Sequence, residues 1–503
     1  MNRKYFIYII VPLIAIFHLT SCSEDFQLPE TIVDEKNNGF ESFAVAEVFA
    51  KNCSSSDCHG QNNPQHQLKF TSHSEMIKGS MGRPLGEGHD HNQAAKTYHG
   101  ETVYGGGPVI PFNAEKSLLY NLITGNIENP EHKMPYNRPP LSQSEINIIK
   151  DWIYNGARDF YGNVPFSNGS GKVYICNQGS DEIYEIDMEY KVVSAIIPVN
   201  FNITGTDAPH NIILKDDNIF VTLISSGKFL KISSATNQIT GSVDGIENAG
   251  MIQLSKDGKT AFVSRSSTAP SIYNKIYAVN TESMTIKGEI NLPVTGLPHA
   301  IALNNSGNLL YVANMTKDRI SIIDANTLEP SADDILLSSG GVLVHEPMHI
   351  YISPDDRYLY VNCRTSSKML IIDLTTKQII QELMIKHHPM QSVVSKDGNK
   401  IYTVSHHEPF ITEISKSGNS WSISKEFESE AFHHLYGADL SADEKFLYVT
   451  CANNDPANEF SPHYKIPGKT RPSLVCIYDT EKGELVKIID IGSYATGIAA
   501  RKN

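Results

Sequence analysis

The spacing of hydrophobic positions changes character about a third of the way along the chain. From residue 40 to about 160, apolar residues recur at helical spacing in short stretches parted by long polar loops. Phe40 to Asn52 predicts one helix and Lys116 to Thr124 a second, shorter one. Ser142 to Ala157 is the clearest helix. Ser142 or Ser144 can cap it, and Ile146, Ile149, Trp152 and Ile153 fall on one face. A Gly- and His-rich loop over 79–108 lies between them.

From about residue 170 the pattern becomes that of short strands. An apolar strand leads to Lys/Asp/Gly turn residues, then Leu-Tyr-Val-x-Asn, then Ile-x-x-Ile-Asp, then another apolar strand. Leu309-Tyr311-Val312-Asn314 with Ile320-Ile323-Asp324 is one copy, and Tyr358-Tyr360-Val361-Asn362 with Leu370-Ile372-Asp373 is another. Val173-Tyr174-Ile175 with Ile183-Ile186-Asp187, and Leu447-Tyr448-Val449 with Cys476-Tyr478-Asp479, repeat it. Aligning the strand before each turn makes His210, Gly250, His299, Met348, Met390 and Tyr436 equivalent, with steps of 40, 49, 49, 42 and 46 residues. That is the period of a propeller blade. The chain enters this region at 171 already in a second strand, and Ser493 to Ala500 reads as a lone first strand. Six complete first strands plus this one make seven blades. The last strand would complete the first blade and leave no open edge.

The expected fold class is therefore α plus all-β, multidomain: a small helical domain over 40–162 and a seven-bladed β-propeller over 168–503. On these repeats the second part resembles the YVTN (surface-layer-like) propeller family, over roughly the last two thirds of the chain. Such propellers serve many roles, so the resemblance speaks for fold more than for function.

The first residues have a different purpose. Arg3 and Lys4 form a positive segment, Tyr5 to Leu19 an apolar one, and Leu19-Thr20-Ser21-Cys22 follows. This resembles the bacterial lipobox, in which the Cys22 thiol is acylated; an ordinary signal peptide cleaved nearby is the alternative. Residues 1–22 are thus expected to be a lipoprotein signal, and 23–39 a polar tether. Ser23 after the Cys implies an outer-membrane destination, and Ser23-Glu24-Asp25 resembles the surface-export signal of Bacteroidetes lipoproteins. The expected location is the bacterial cell envelope, periplasmic or surface-exposed, with the membrane as partner through the lipid. A formal charge of −14 argues against a nucleic-acid partner.

Seven cysteines include Cys22. Cys176, Cys363, Cys451 and Cys476 each fall inside an apolar strand-like run and read as buried small residues. Cys53 and Cys58 are a close pair in Cys53-Ser54-Ser55-Ser56-Asp57-Cys58-His59-Gly60. Two thiols can add across the vinyl groups of a haem, with the following His under the iron. The usual spacing is Cys-x-x-Cys-His, whereas four residues intervene here. Downstream, His132-Lys133-Met134-Pro135 precedes Leu141 and a helix ending Trp152-Ile153-Tyr154-Asn155-Gly156-Ala157. Together with Ile110-Pro111 and Ser117-Leu118-Leu119-Tyr120, this resembles class I-like cytochrome c domains of planctomycete and Bacteroidetes proteins. The resemblance implies one covalent haem c on Cys53 and Cys58, with His59 and Met134 as axial ligands of the iron. His132, His89, His91 and His99 are candidate substitutes for the distal ligand, with a solvated loop as the alternative reading of the last three. A Cys53–Cys58 disulfide in an exported protein is the competing reading.

Eight of the 19 histidines lie between 345 and 434. His345, His387 and His433 each stand three residues before an aligned position, in the loop leading into the innermost strand. His406 and His407 follow the second strand of their blade, in a loop that opens on the same face. His349, His388 and His434 complete the eight. Met348, Met390, His210 and His299 would stand just inside the channel. Imidazole plus thioether suits copper, and imidazole alone suits zinc or a second haem. The haem-plus-propeller arrangement resembles cytochrome cd1-type nitrite reductases in architecture only. Channel residues that merely hydrogen-bond to water are the alternative.

The expected function is an exported electron-transfer lipoprotein with a redox partner protein, and an oxidoreductase if the propeller holds a second metal or substrate site. The other class is a surface propeller that binds a ligand or protein without catalysis. No Ser/His/Asp or paired-carboxylate arrangement stands out for hydrolysis.

Overall fold

A computed structural model describes residues 37–80, 105–128, 130–167, 171–266, 274–341, 343–429, 431–453 and 472–500. Cys22, the tether up to residue 36, and His89, His91 and His99 lie outside them. No helix among the described residues is long and apolar enough to cross a membrane.

The first part holds four α-helices among the described residues: α1 (Phe43–Asn52), α2 (His73–Met76), α3 (Leu118–Thr124) and α4 (Gln143–Tyr154). The helix expected from Phe40 starts three residues later. The Ser42 side chain accepts a hydrogen bond from the Val45 N–H and caps α1, while Phe40 bridges to Asp159. Ser142 caps α4 in a reciprocal box with Glu145. That helix stops at Tyr154, short of Ala157, because Gly156 and Ala157 both take left-handed φ, +101° and +50°. Phe40, Phe49, Ile149, Trp152 and Ile153 are buried together, with the Phe49 and Trp152 rings edge-on at 5.7 Å.

Residues 172–500 form seven antiparallel sheets. Six have four strands, and the fourth blade splits its outer strand into Glu329–Pro330 and Ile335–Leu336. The innermost strands of blades 2 to 7 are Pro209–Lys215, Ala249–Leu254, Pro298–Leu303, Pro347–Ile352, Pro389–Val394 and Leu435–Leu440. Blade 1 takes its innermost strand, Ala495–Ala500, from the far end of the chain. It pairs antiparallel with Lys172–Asn177 and closes the ring.

The recurring turn residues have a common physical role. Asp187, Asp324, Asp373 and Asp479 each accept hydrogen bonds from the backbone N–H groups two and three residues on. Asn280 does the same in blade 3. These Asx-type contacts set the hairpin between third and fourth strands. Ser255-x-Asp257, Ser353-x-Asp355, Ser395-x-Asp397 and Ser441-x-Asp443 close the hairpins between first and second strands. Cys176, Cys363, Cys451 and Cys476 are buried in the strands.

The helical part docks against blades 1 and 7. Gly105 N–H donates to the Ile488 carbonyl at 3.1 Å, and Lys487 Nζ to the Ser80 carbonyl at 2.8 Å. Lys116 pairs with Glu182 at 2.7 Å, and Ile110 joins a buried cluster with Val173, Ile175 and Ile489.

Candidate functional site

Two groups of side chains stand out, one in the helical part and one on the propeller. The first lines a cavity of about 470 Å³. Cys53 ends α1, its N–H donating to the Phe49 carbonyl. The loop then folds back: Cys58 N–H donates to the Ser55 carbonyl, and His59 N–H to the Cys53 carbonyl at 3.1 Å. Gly60 fits this fold because a Cβ there would lie 2.8 Å from the Ser55 carbonyl oxygen. His59 Nδ1 is 3.0 Å from the Leu68 carbonyl, a contact that orients the ring. Burial holds the His59 pKa below its usual value, and burial pushes the Cys53 thiol up to about 12.

Met134 lines the same cavity from a separate loop. Its N–H donates to the Leu122 carbonyl at 3.1 Å, tying the loop to α3. Leu68, Phe70, Leu118, Leu119, Leu122 and Ile123 supply apolar wall. His132 also lines the space, and Arg138 pairs with Asp57 at 2.6 Å beside Cys58. Cys53, Cys58, His59 and Met134 thus meet at one cavity, and Cys53 and Cys58 are both free thiols.

The second group is at the propeller channel. The six aligned positions all fall second in an innermost strand, and Thr496 is the seventh. His210 and His299 have ring centroids 6.3 Å apart, and His210 lies 6.4 Å from Tyr436. Burial and neighbouring imidazoles hold His210 down to about 3 and His349 to about 3; burial holds His299 to about 4. Met348 and Met390 belong to an apolar cluster with Met315, Phe432 and Leu435.

His387, His388, His406 and His407 form a close group on blade 6, joined by His434 of blade 7. His388 and His407 rings are 4.0 Å apart, and His406 stacks on His434 at 4.6 Å. His388, His406 and His407 each offer a ring nitrogen within 4.8 Å of the other two. Among the aligned lead-in residues, His345 sits apart: its Nδ1 meets Ser366 at 3.0 Å, and its N–H donates to Asp318.

Sequence spacing singled out the position three before each aligned residue. The tighter group uses the next position, filled by His388 and His434. Both have left-handed φ, +62° and +52°, as do Ala208, Asn248, Glu346 and Tyr494 at equivalent places. That turn redirects the side chain, and β-branch or hydropathy patterning carries no trace of it. Arg364 also escaped notice; it pairs with Glu346 beside this group.

A family profile described as lactonase, 7-bladed beta-propeller, matches residues 166–331. Residues 172–500 are a seven-bladed β-propeller. The matching profile differs from the YVTN family suggested by the repeats, and the seven-bladed architecture is common to both. No curated protein matches the chain. A solved structure of a functionally unknown protein from Desulfotomaculum acetoxidans is 14% identical, with a TM-score of 0.53 over 66% of this chain and 99% of that one. A periplasmic gluconolactonase from Pseudomonas aeruginosa is 14% identical, with a TM-score of 0.53 over 66% and 98%. A candidate 6-phosphogluconolactonase from Bacteroides uniformis is 12% identical, with a TM-score of 0.51 over 66% and 99%. At these identities the likeness concerns the fold.

Proposed function

We propose that the chain is an exported electron-transfer lipoprotein that holds one haem c in the cavity of its helical part. The observation that carries this reading is the convergence of Cys53, Cys58, His59 and Met134 on one apolar-walled cavity. The donor set fits the group: two thiols on one loop, an imidazole held by a backbone carbonyl, and a thioether from a separate loop. Cys53 and Cys58 would bear the porphyrin, and His59 and Met134 the iron. Bound there, haem would supply a one-electron couple, and holding the iron with a thioether as well as an imidazole would raise its potential. Leu118, Leu119, Leu122, Ile123 and Phe70 would surround the group with apolar side chains, and iron held by both His59 and Met134 would suit electron transfer rather than substrate binding. Cys22 would carry the lipid that holds the protein at the outer membrane, and a redox protein would be its partner.

The test is production of the full chain in cells that assemble c-type cytochromes. One covalent haem per chain is expected after denaturation, lost when Cys53→Ser and Cys58→Ser are combined. A colourless product with a Cys53–Cys58 disulfide by mass spectrometry overturns the reading and leaves a ligand-binding propeller.

A second reading rests on the lactonase match over 166–331. Here the propeller binds or opens a sugar lactone. Release of acid from gluconolactone by the purified chain above the spontaneous rate supports it; equality with the spontaneous rate removes it.

A further inference from the structure

We propose that His388, His406 and His407 bind one divalent transition-metal ion of the zinc or copper class at the mouth of the propeller channel. The three rings come from two loops of blade 6, and the loops are clamped together by the His406 N–H to His388 carbonyl bond at 3.0 Å. Their nearest nitrogens lie within 4.8 Å of one another. Tetrahedral ligation at a metal–nitrogen distance of about 2.0–2.1 Å needs nitrogens about 3.4 Å apart. Closing that difference requires the three side chains to rotate toward one another.

A second observation points to a ligand. The Nδ1 atoms of His388 and His406 are buried without a hydrogen-bond partner. A desolvated ring nitrogen with no partner is costly, and a metal ion satisfies it. The donor chemistry narrows the class. Three imidazoles with no carboxylate among them select zinc, copper or nickel over calcium and magnesium, which require oxygen. The nearby Arg364 guanidinium is paired with Glu346, which draws part of its charge away from the site. His407 is exposed and gives the ion a way in, while His434 stacks on His406 from the next blade. Three protein ligands leave a fourth position for water or substrate, as in catalytic zinc sites.

The inference does not depend on haem in the other part of the chain. The test uses untagged full-length protein, stripped with chelator and titrated with Co²⁺ as an optical probe, then with Zn²⁺. One equivalent with a tetrahedral Co²⁺ band is expected and should be displaced by Zn²⁺. His407→Ala, at an exposed position, and His406→Ala should each weaken binding by more than about tenfold, the least that disturbing even an outer-shell partner costs. His349→Gln, in the channel but outside the trio, should bind as the parent does. The idea is overturned if the parent shows no such band, or if folded His407→Ala and His406→Ala keep its affinity. Cobalt is counted separately from iron, so a failed haem test leaves this one readable.

Discussion

At Met134 one residue serves two structures. Its backbone is tied to the Leu122 carbonyl, and its side chain lines the cavity opposite the Cys53–His59 loop. At the proposed haem site, Met134→Ala should keep haem attached through the two thiols but lower the midpoint potential, since it removes the thioether that would favour ferrous iron. Redox titration of parent and variant checks this; identical potentials and spectra would remove Met134 as a ligand. His59 differs in that its ring is already anchored through Nδ1. Both residues could be singled out in the sequence, because a Cys-Cys-His loop and a Met-Pro segment are local patterns. The placement of His388 was not legible in it, because a left-handed turn decides where its ring goes.

The element that closes the propeller is the strand Ala495–Ala500. Thr496 Oγ1 donates to the His210 carbonyl at 3.1 Å, and Gly497 packs against the backbone of blade 2. A Cβ on Gly497 would stand 2.6 Å from the His210 carbonyl oxygen and 2.9 Å from Asn211 Cα. Gly497→Ala should destabilise the protein by about 1–3 kcal/mol through overpacking. Gly205→Ala is the control, because nothing lies within 4 Å of a Cβ there. Guanidinium unfolding of the two variants should separate them clearly; equal midpoints would mean the closing strand yields without cost. The repeat arithmetic required such a strand, but only the packed ring shows how closely it approaches its neighbour.

For the molecule as a whole, buried bases make stability depend on pH in two windows, and in both it rises with pH. His210, His299 and His349 have folded pKa values near 3 to 4, below the ordinary 6.5. As pH falls below 6.5, the unfolded chain takes up protons that the folded channel refuses. Stability is fully present above that pH and is lost steadily toward about 3. His349→Gln should flatten this acid limb in a plot of Tm against pH. Lys487, buried where the helical part meets blade 7, is held down to about 8 by its burial and by Lys191. Here the unfolded chain keeps its proton longer, so stability should rise between about pH 8 and 10.5. Lys487→Met should abolish that rise; an unchanged alkaline limb would show that the ammonium is solvated.

The chain's own order of residues determined the number of blades, the strand alternation, the Asp turns and the Cys53–His59 loop. Each follows from contacts within one repeat or one turn, where period and residue type are enough. Tertiary structure alone decided three things. It brought the Met134 loop to the Cys53–His59 loop across one cavity, placed Met348 and Met390 in apolar packing, and gathered His388, His406 and His407 on one blade. Those outcomes depend on backbone turns and on packing between distant segments, and neither leaves a periodic mark on the sequence.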